Sequence, residues 1–356
     1  MNQDSFDFTY SALPSRVLFG NGRLSSQPHE AAQLGSRARV LATPYQADLA
    51  NQVAELLGDL CVGVHAKAVQ HVPYSTIEEA MGMVTAISAD LLIAAGGGST
   101  IGLAKGIALE TNLPILAIPT TYAGSEMTHI WGISRDGRKT TGRNPVVKPK
   151  TVIYDPELII SLPPTLSITS GINAMAHAVE ALYAENANPI SSMMAEESIR
   201  SLAAGLPLVA QAPNNLDARS STLYGAWLAA TVLDQVGMAL HHKLCHTLGG
   251  SFGMPHAETH TVILPYATAY NHSQAPQAMT AISRALSCDV ADVPNAIQTI
   301  SRNNGGPVSL KELGFRAEDL DKAADIATQN PYYNPRPVLR DDIRELLKNA
   351  YHGHPC

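Results

Sequence analysis

The stretch DLLIAAGGGST, residues 90–100, joins a run of apolar residues directly to three glycines. The apolar run is typical of a buried β-strand, and residues 101–109 continue with a helical pattern. A strand that passes through glycines into a helix places backbone N–H groups and the positive end of the helix dipole where a phosphate can bind. For three glycines taken alone, a tight turn without a ligand is the alternative.

The same strand-and-helix pattern flanks this stretch on both sides. Further strands are predicted at 39–44, 61–66 and 113–121, with helices at 46–57 and 76–88. Near-continuous apolar strands that alternate with helices predict a parallel sheet covered on both faces. Beyond it strand patterns nearly vanish, and helices are predicted at 165–183, 189–204, 217–234, 237–248 and 341–350. We therefore predict an α/β dinucleotide-binding domain at residues 1–158 and an all-helical catalytic domain at residues 159–356.

Charge and composition exclude several classes of partner. The net charge of the 356 residues is −7, with no long run of Lys and Arg, which argues against nucleic acid. The first residues, MNQDSFDFTY, lack the features of a signal peptide, and no apolar run is long enough to span a membrane. The cysteines form no CxxC pair, which is typical of free thiols in a reducing compartment. A cytoplasmic protein that acts on a small molecule is expected.

A second polar loop, IPTTYAGSEMT at 118–128, ends the strand predicted at 113–121. Ligands of open parallel sheets bind at the carboxyl ends of the strands, so two polar, glycine-bearing loops there fit a dinucleotide. The hydroxyl side chains also suit turns and helix caps, which is compatible with binding. The predicted cofactor-binding residues of the two loops are Gly96, Gly97, Gly98, Ser99, Thr120, Thr121, Tyr122, Ser125 and Thr128.

Histidines are concentrated in ALHHKLCHTLGGSFGMPHAETH, residues 239–260. His242 and His246 are four residues apart, as are Asn173 and His177, so each pair shares one face of a predicted helix. His256 follows a Gly-rich turn and is expected in a loop. A single histidine is most often a hydrogen-bonded structural residue. The set of spacings predicts convergence on one site, either a metal cage or a proton-transfer site without metal.

Together with Asp155-Pro156, these motifs resemble those of the iron-containing (group III) alcohol dehydrogenases. The resemblance extends from RVLFGNG near the start to NPRP near the end. It implies an NADH or NADPH cofactor, an active site in the cleft between the two domains, and a homodimer. It also implies a divalent metal held at the positions of Asn173, His177, His242 and His256, with His246 a nearby histidine that is not a ligand.

Three positions depart from the family pattern. Asn173 replaces an aspartate, which leaves three neutral histidines and an amide without an anionic ligand, so no bound metal is expected. A weak three-histidine zinc site stays open. Thr43 and Gln46, also predicted to bind the cofactor, lie where much of the family has an acid that disfavours NADP; use of both NADH and NADPH is therefore expected. Gly102 replaces another aspartate, while Lys105 is kept.

These departures resemble one subgroup of the family, the maleylacetate reductases. The resemblance implies reduction of the carbon–carbon double bond of maleylacetate to 3-oxoadipate, in the breakdown of resorcinol- or hydroxyquinol-type aromatics. A dicarboxylate enone needs polarisation of its ketone and a proton, which histidines can supply. We predict that His242 or His246 polarises the ketone and donates the proton. His177 and His256 would orient the substrate, and its binding residues would be Asn173, Arg143 and Lys243.

Three other functions remain open. A metal-dependent alcohol or hydroxy-acid dehydrogenase that tolerates Asn173 is distinguished by metal analysis. A lyase similar to dehydroquinate synthase would need more basic residues than the Lys-poor helical half offers. A non-catalytic nucleotide-binding module is disfavoured by the intact set of histidines.

Overall fold

The computed structural model describes residues 8–13, 15–135 and 138–356, the side chains of 138 and 139 excepted. Contacts divide these residues into two compact units. The α/β unit is Ala12–Leu162, and the helical unit is Pro163–Cys356 together with residues 8–11. Among the described residues no single helix is long and apolar enough to cross a membrane. The helices Leu216–Gln235 and Leu240–Phe252 together have the length and composition of a membrane span, but the pair is bent by 93°.

The α/β unit alternates strands and helices along the chain. The elements are β1 (Arg16–Phe19), α1 (Gln27–Ala32), β2 (Ala38–Leu41), α2 (Ala47–Leu57), β3 (Cys61–His65), α3 (Tyr74–Ala86), β4 (Leu91–Gly96), α4 (Gly98–Thr111), β5 (Ile115–Pro119), β6 (Ile130–Arg135), β7 (Arg138–Arg143) and β8 (Thr151–Tyr154). Six of the strands form a parallel sheet with the order β1-β8-β5-β4-β2-β3. A separate antiparallel hairpin, β6–β7, lies within the same unit.

The sheet is buried on both faces. Along β4, Leu91, Ile93 and Ala95 join one apolar cluster, while Leu92 and Ala94 join the cluster on the other face. Because side chains alternate along a strand, a strand that contributes to two cores must be apolar at every position. This confirms the predicted parallel sheet. The prediction missed β1 and β8, which have four residues each, and the hairpin.

The predicted strand ends need correction. β2 ends at Leu41 and not at residue 44, and β5 ends at Pro119 and not at residue 121. In both cases the chain leaves the sheet before the residue at which the strand was predicted to end. A 3-10 turn follows β2 at Pro44–Gln46, and another follows β5 at Ser125–Met127. The residues between the strands and these turns therefore lie in loops.

The helical unit contains nine α-helices among its described residues. They are α5 (Pro164–Ala181), α6 (Pro189–Gln211), α7 (Leu216–Gln235), α8 (Leu240–Phe252), α9 (His256–Asn271), α10 (Pro276–Leu286), α11 (Val293–Asn303), α12 (Leu320–Thr328) and α13 (Arg340–His352). His256 was predicted in a loop, but it is the first residue of α9, because the Gly253 turn is short and Pro255 already occupies the N-cap position of the next helix. α8 also begins at Leu240, three residues later than predicted.

Helix α5 is the centre of the helical unit. It packs against α6, α7 and α9. Every residue from Gly171 to Ala181 is buried, including Asn173, His177 and Glu180. A helix that is covered all round normally carries apolar residues, so polar side chains at its core need partners or a ligand.

Candidate active site

The predicted cofactor residues all lie at or just after the carboxyl ends of three neighbouring strands of the sheet. Strands β2, β4 and β5 are neighbours in the sheet, and all three run in the same direction. The polar segments follow the carboxyl end of each strand, where open parallel sheets bind their ligands. These segments hold Thr43 and Gln46 after β2, Gly96 to Ser99 at the end of β4 and the start of α4, and Thr120, Thr121, Tyr122, Ser125 and Thr128 after β5.

Gly97 allows two of these loops to approach each other closely. A Cβ atom at this position would lie 2.8 Å from Cγ2 of Thr121. Gly97 is also the N-cap of α4 and makes no side-chain hydrogen bond to the first turn. The first N–H groups of α4 therefore have no side-chain cap, which is the arrangement that binds a phosphate. Gln46 Nε2 donates to Thr120 Oγ1 at 2.5 Å, which connects the loops after β2 and β5.

The surroundings of Lys105 and Gly102 in α4 explain why these residue types occur there. The buried Nζ of Lys105 donates to Thr128 O at 2.8 Å, to Thr128 Oγ1 at 2.9 Å and to Ile130 O at 2.7 Å. It thereby holds the end of the second loop against α4. A Cβ at Gly102 would lie 2.6 Å from Cγ2 of Val72, so this chain leaves no room for the aspartate that the family pattern carries there.

Helices α5, α8 and α9 bring the predicted histidines together. The rings of His177 and His242 stack with centroids 5.0 Å apart. The ring of His246 lies 6.0 Å from that of His242. His260, which the sequence analysis did not select, connects the set, since its ring lies 5.0 Å from His242 and 4.3 Å from His256. The predicted convergence therefore includes a buried histidine at its centre.

Glu180 of α5 is the carboxylate of this cluster. It is fully buried and accepts hydrogen bonds from Ala239 N at 2.8 Å, His241 N at 2.7 Å and His242 Nδ1 at 2.7 Å. It therefore caps the start of α8, which has no cap from its own N-cap side chain, and orients the ring of His242. The sequence analysis missed Glu180, although it lies three residues after His177 on the same predicted helix.

The buried histidines are neutral near pH 7. Burial lowers the pKa of His177 and His242 well below 6.5, and the neighbouring histidines lower it further. Burial likewise lowers the pKa of His241, to about 3. Burial also lowers the pKa of His260. A charged imidazole in this core would lose its hydration without a sufficient gain from Glu180, so the neutral form dominates.

His246 differs from these histidines because it is exposed to solvent. Its Nδ1 lies 3.0 Å from the hydroxyl of Tyr332, a residue of the bend that follows α12. Lys243, one of the predicted substrate-binding cations, contacts the same bend. Its Nζ donates to Gln329 O at 2.9 Å and lies 5.7 Å from the centre of the Tyr332 ring. The other predicted cation, Arg143, is an exposed residue at the end of β7 in the α/β unit.

The four family metal positions fit a divalent ion poorly. Three of their atoms are buried without a hydrogen-bond partner among the described residues, namely Asn173 Oδ1, His177 Nδ1 and His242 Nε2. Such atoms need a polar ligand. Every donor at these positions is neutral, however, and the nearby carboxylate of Glu180 already accepts three hydrogen bonds. Hard and borderline divalent ions with oxygen ligands favour a carboxylate, which this set lacks.

A neighbouring group, His241, Cys245 and His260, has ligand-type atoms within 4.8 Å of one another. Two features make it a poor metal site. Nε2 of His241 is 3.0 Å from the carbonyl oxygen of His260, so it carries a proton and donates it. Burial raises the pKa of the Cys245 thiol well above its usual range, which disfavours the thiolate that binds metals.

Comparisons with known proteins agree with this architecture. Residues 14–156 match the family "Iron-containing alcohol dehydrogenase", and residues 167–351 match "Fe-containing alcohol dehydrogenase family, C-terminal". The chain belongs to the iron-containing alcohol dehydrogenase family. Enzymes of this family use a nicotinamide cofactor.

Among the relatives in this family are several named maleylacetate reductase. The one from Sphingobium indicum is 51% identical over 348 residues, 98% of this chain and 98% of its own length. The one from Burkholderia cepacia is 52% identical over 347 residues, 97% of this chain and 98% of its own length. The crystal structure of maleylacetate reductase from Agrobacterium tumefaciens is 47% identical and superposes with a TM-score of 0.95, covering 98% of this chain and 99% of that chain.

Proposed function

We propose that this chain reduces the carbon–carbon double bond of maleylacetate to give 3-oxoadipate, with NADH or NADPH as the reductant and without a bound metal. The observation that carries the proposal is the neutral donor set at Asn173, His177 and His242. Relatives about half identical over nearly the whole chain carry the name maleylacetate reductase, which supports the substrate.

The reaction needs hydride addition to the carbon beside the terminal carboxylate, followed by protonation of the resulting enolate. The bound reduced nicotinamide supplies the hydride. We assign the proton to His246 rather than to His242, because His246 is exposed and can regain a proton from water, whereas His242 is buried and its pKa is strongly lowered. Neutral His242 and His177 then serve to orient the substrate, as does His256 at the start of α9.

The substrate carries two carboxylates, which need hydrogen-bond donors or cations. In the helical unit we assign this role to Lys243, whose Nζ is held beside the Tyr332 ring, and to the amide of Asn173. Arg143 is assigned as the second cation. Residues 1–158 bind the dinucleotide in this proposal, through the loops after β2, β4 and β5.

The test is NADH oxidation with maleylacetate by protein that has been treated with EDTA and assayed for metal. Full turnover with no bound metal is the expected result. Loss of activity that zinc or iron restores would contradict the metal-free part of the proposal. Absence of turnover after metal is restored would overturn the substrate as well.

A second candidate is a metal-dependent alcohol or hydroxy-acid dehydrogenase of the same family. One observation favours it: a carboxylate that accepts from Nδ1 of a histidine, as Glu180 does from His242, is the arrangement that orients metal-ligating histidines. The same metal analysis distinguishes the two candidates, and restored oxidation of a simple alcohol would support this one.

A further inference from the structure

The segment that follows β3 lies beside the loop that follows β2. Strand β3 pairs with β2, and backbone hydrogen bonds continue past the ends of both strands. Ala42 N donates to His65 O at 3.1 Å, and Ala68 N donates to Ala42 O at 2.9 Å. These two bonds hold Lys67 next to the start of the loop that carries Thr43, about one strand spacing, roughly 4.8 Å, further out along the sheet.

Lys67 is the one Lys or Arg in the segments that follow the four neighbouring strands. These segments are residues 42–46, 66–73, 97–99 and 120–128, which follow β2, β3, β4 and β5. In the loop after β2, Thr43 Oγ1 donates to Gln46 Oε1 at 3.2 Å, and neither side chain carries a charge. An anionic group that binds beside this loop therefore finds its cation at Lys67.

We propose that Lys67 binds the 2′-phosphate of NADPH and thereby allows this chain to use NADPH as well as NADH. The inference rests on the dinucleotide site of the proposed function. In that site the pyrophosphate binds at the start of α4 and the adenosine ribose binds at the loop after β2, so the adenosine end faces β3. A lysine ammonium donates charge-assisted hydrogen bonds to a phosphate. NADH has no 2′-phosphate and gains nothing from Lys67.

Glu79 of α3 competes with the phosphate for the same ammonium group. Nζ of Lys67 lies 2.6 Å from Oε1 of Glu79, and the two side chains are 65% and 48% exposed. An ion pair that is this accessible to water contributes little, so a phosphate can displace the carboxylate. Removal of the carboxylate should therefore strengthen NADPH binding, the opposite of the effect of removing Lys67.

The experiment measures the Kd of NADPH and of NADH by fluorescence titration without substrate. Lys67→Gln should raise the Kd of NADPH about tenfold and leave the Kd of NADH unchanged. Glu79→Gln should lower the Kd of NADPH about threefold. The matched control is Lys150→Gln, which removes an exposed lysine immediately before β8, at the opposite edge of the sheet. It should bind both cofactors as the wild type does.

A second measurement isolates the phosphate from the rest of the cofactor. Adenosine 2′,5′-bisphosphate and 5′-AMP differ only in the 2′-phosphate, and each is titrated as a competitor of bound NADH. The wild type should bind the bisphosphate more tightly than 5′-AMP, and Lys67→Gln should remove most of this difference. The preference should also decrease with added salt in the wild type, because the phosphate is held by charge.

Two results would overturn the inference. One is an unchanged Kd of NADPH in Lys67→Gln. The other is an equal loss of NADH and NADPH affinity in that variant, which would show that Lys67 supports the loop and does not contact the phosphate. If the wild type does not turn over maleylacetate, the proposed reaction fails, and the titrations still decide the role of Lys67.

Discussion

Nδ1 of His242 lies 2.7 Å from Oε2 of Glu180, and this buried pair connects α5 to the first turn of α8. The carboxylate also accepts the N–H groups of Ala239 and His241. One side chain therefore caps a helix, orients a histidine of the site and supplies the negative charge of the cluster. The effect of Glu180 on the stability of the fold and its effect on the orientation of His242 can be tested separately by substitution.

Glu180→Gln should lower the free energy of unfolding by about 2–3 kcal/mol, because a charged acceptor of three donors is replaced by an amide with one acceptor oxygen. Denaturant unfolding followed by circular dichroism measures this. The matched control is Glu126→Gln, another buried carboxyl, which accepts a hydrogen bond from the hydroxyl of Tyr154 at 2.8 Å. The control should change stability by less than about 1 kcal/mol. Equal losses in both variants would contradict the capping role of Glu180.

Asn173→Asp should turn the cluster into a metal site. The substitution adds the anionic donor that the three histidines lack, and zinc or iron should then remain bound through dialysis, whereas the wild type retains little. Elemental analysis of the dialysed proteins measures the content. Asn215→Asp is the control, because it adds the same charge at the N-cap of α7, where aspartate suits the position. If all three proteins retain the same amount of metal, the missing carboxylate does not explain the poor fit.

Gly97→Ala should raise KM for NADH at least about tenfold, since its Cβ would lie 2.8 Å from Cγ2 of Thr121 and would force apart the loops after β4 and β5. Steady-state kinetics and NADH fluorescence titration measure the effect. Gly82→Ala in α3 provides the comparison, because no atom lies within 4 Å of its added Cβ. An unchanged NADH affinity in Gly97→Ala would count against a cofactor site at this loop.

Acid should destabilise the fold through its buried histidines. The pKa of His241 is about 3 in the folded chain and near 6.5 in the unfolded chain. The contribution of neutral His241 to the free energy of unfolding is therefore complete above pH 6.5 and is lost as the pH falls toward 3. Between pH 7.5 and pH 5 the unfolded chain gains a proton at this residue and the folded chain does not. The loss is about 2 kcal/mol.

The comparison with His241→Gln isolates this contribution. Burial raises the pKa of Glu126, which acts in the opposite direction but is present in both proteins and cancels. The free energy of unfolding of the variant should therefore fall less between pH 7.5 and pH 5. Parallel curves for the two proteins would show that His241 is not held neutral by burial.

The sequence by itself determined the parallel sheet and the polar loops that follow its strands. Strand β4 is apolar at successive positions and runs into Gly97, a local pattern that has one structural solution because both faces of the strand must be buried. The helical pairs Asn173 with His177 and His242 with His246 could be predicted for a similar reason, since four-residue spacing fixes a shared helix face. Short edge strands such as β1 carry too little pattern to be predicted.

Only the tertiary structure decided how the site works. Glu180 and His260 belong to it because α5, α8 and α9 pack together, and Tyr332 belongs to it because the bend after α12 returns to α8. Contacts between residues distant in sequence leave no periodic signal in the chain. The lowered pKa of His242 follows from the same packing, because burial disfavours its charged form, whereas His246, four residues later on the same helix, is exposed.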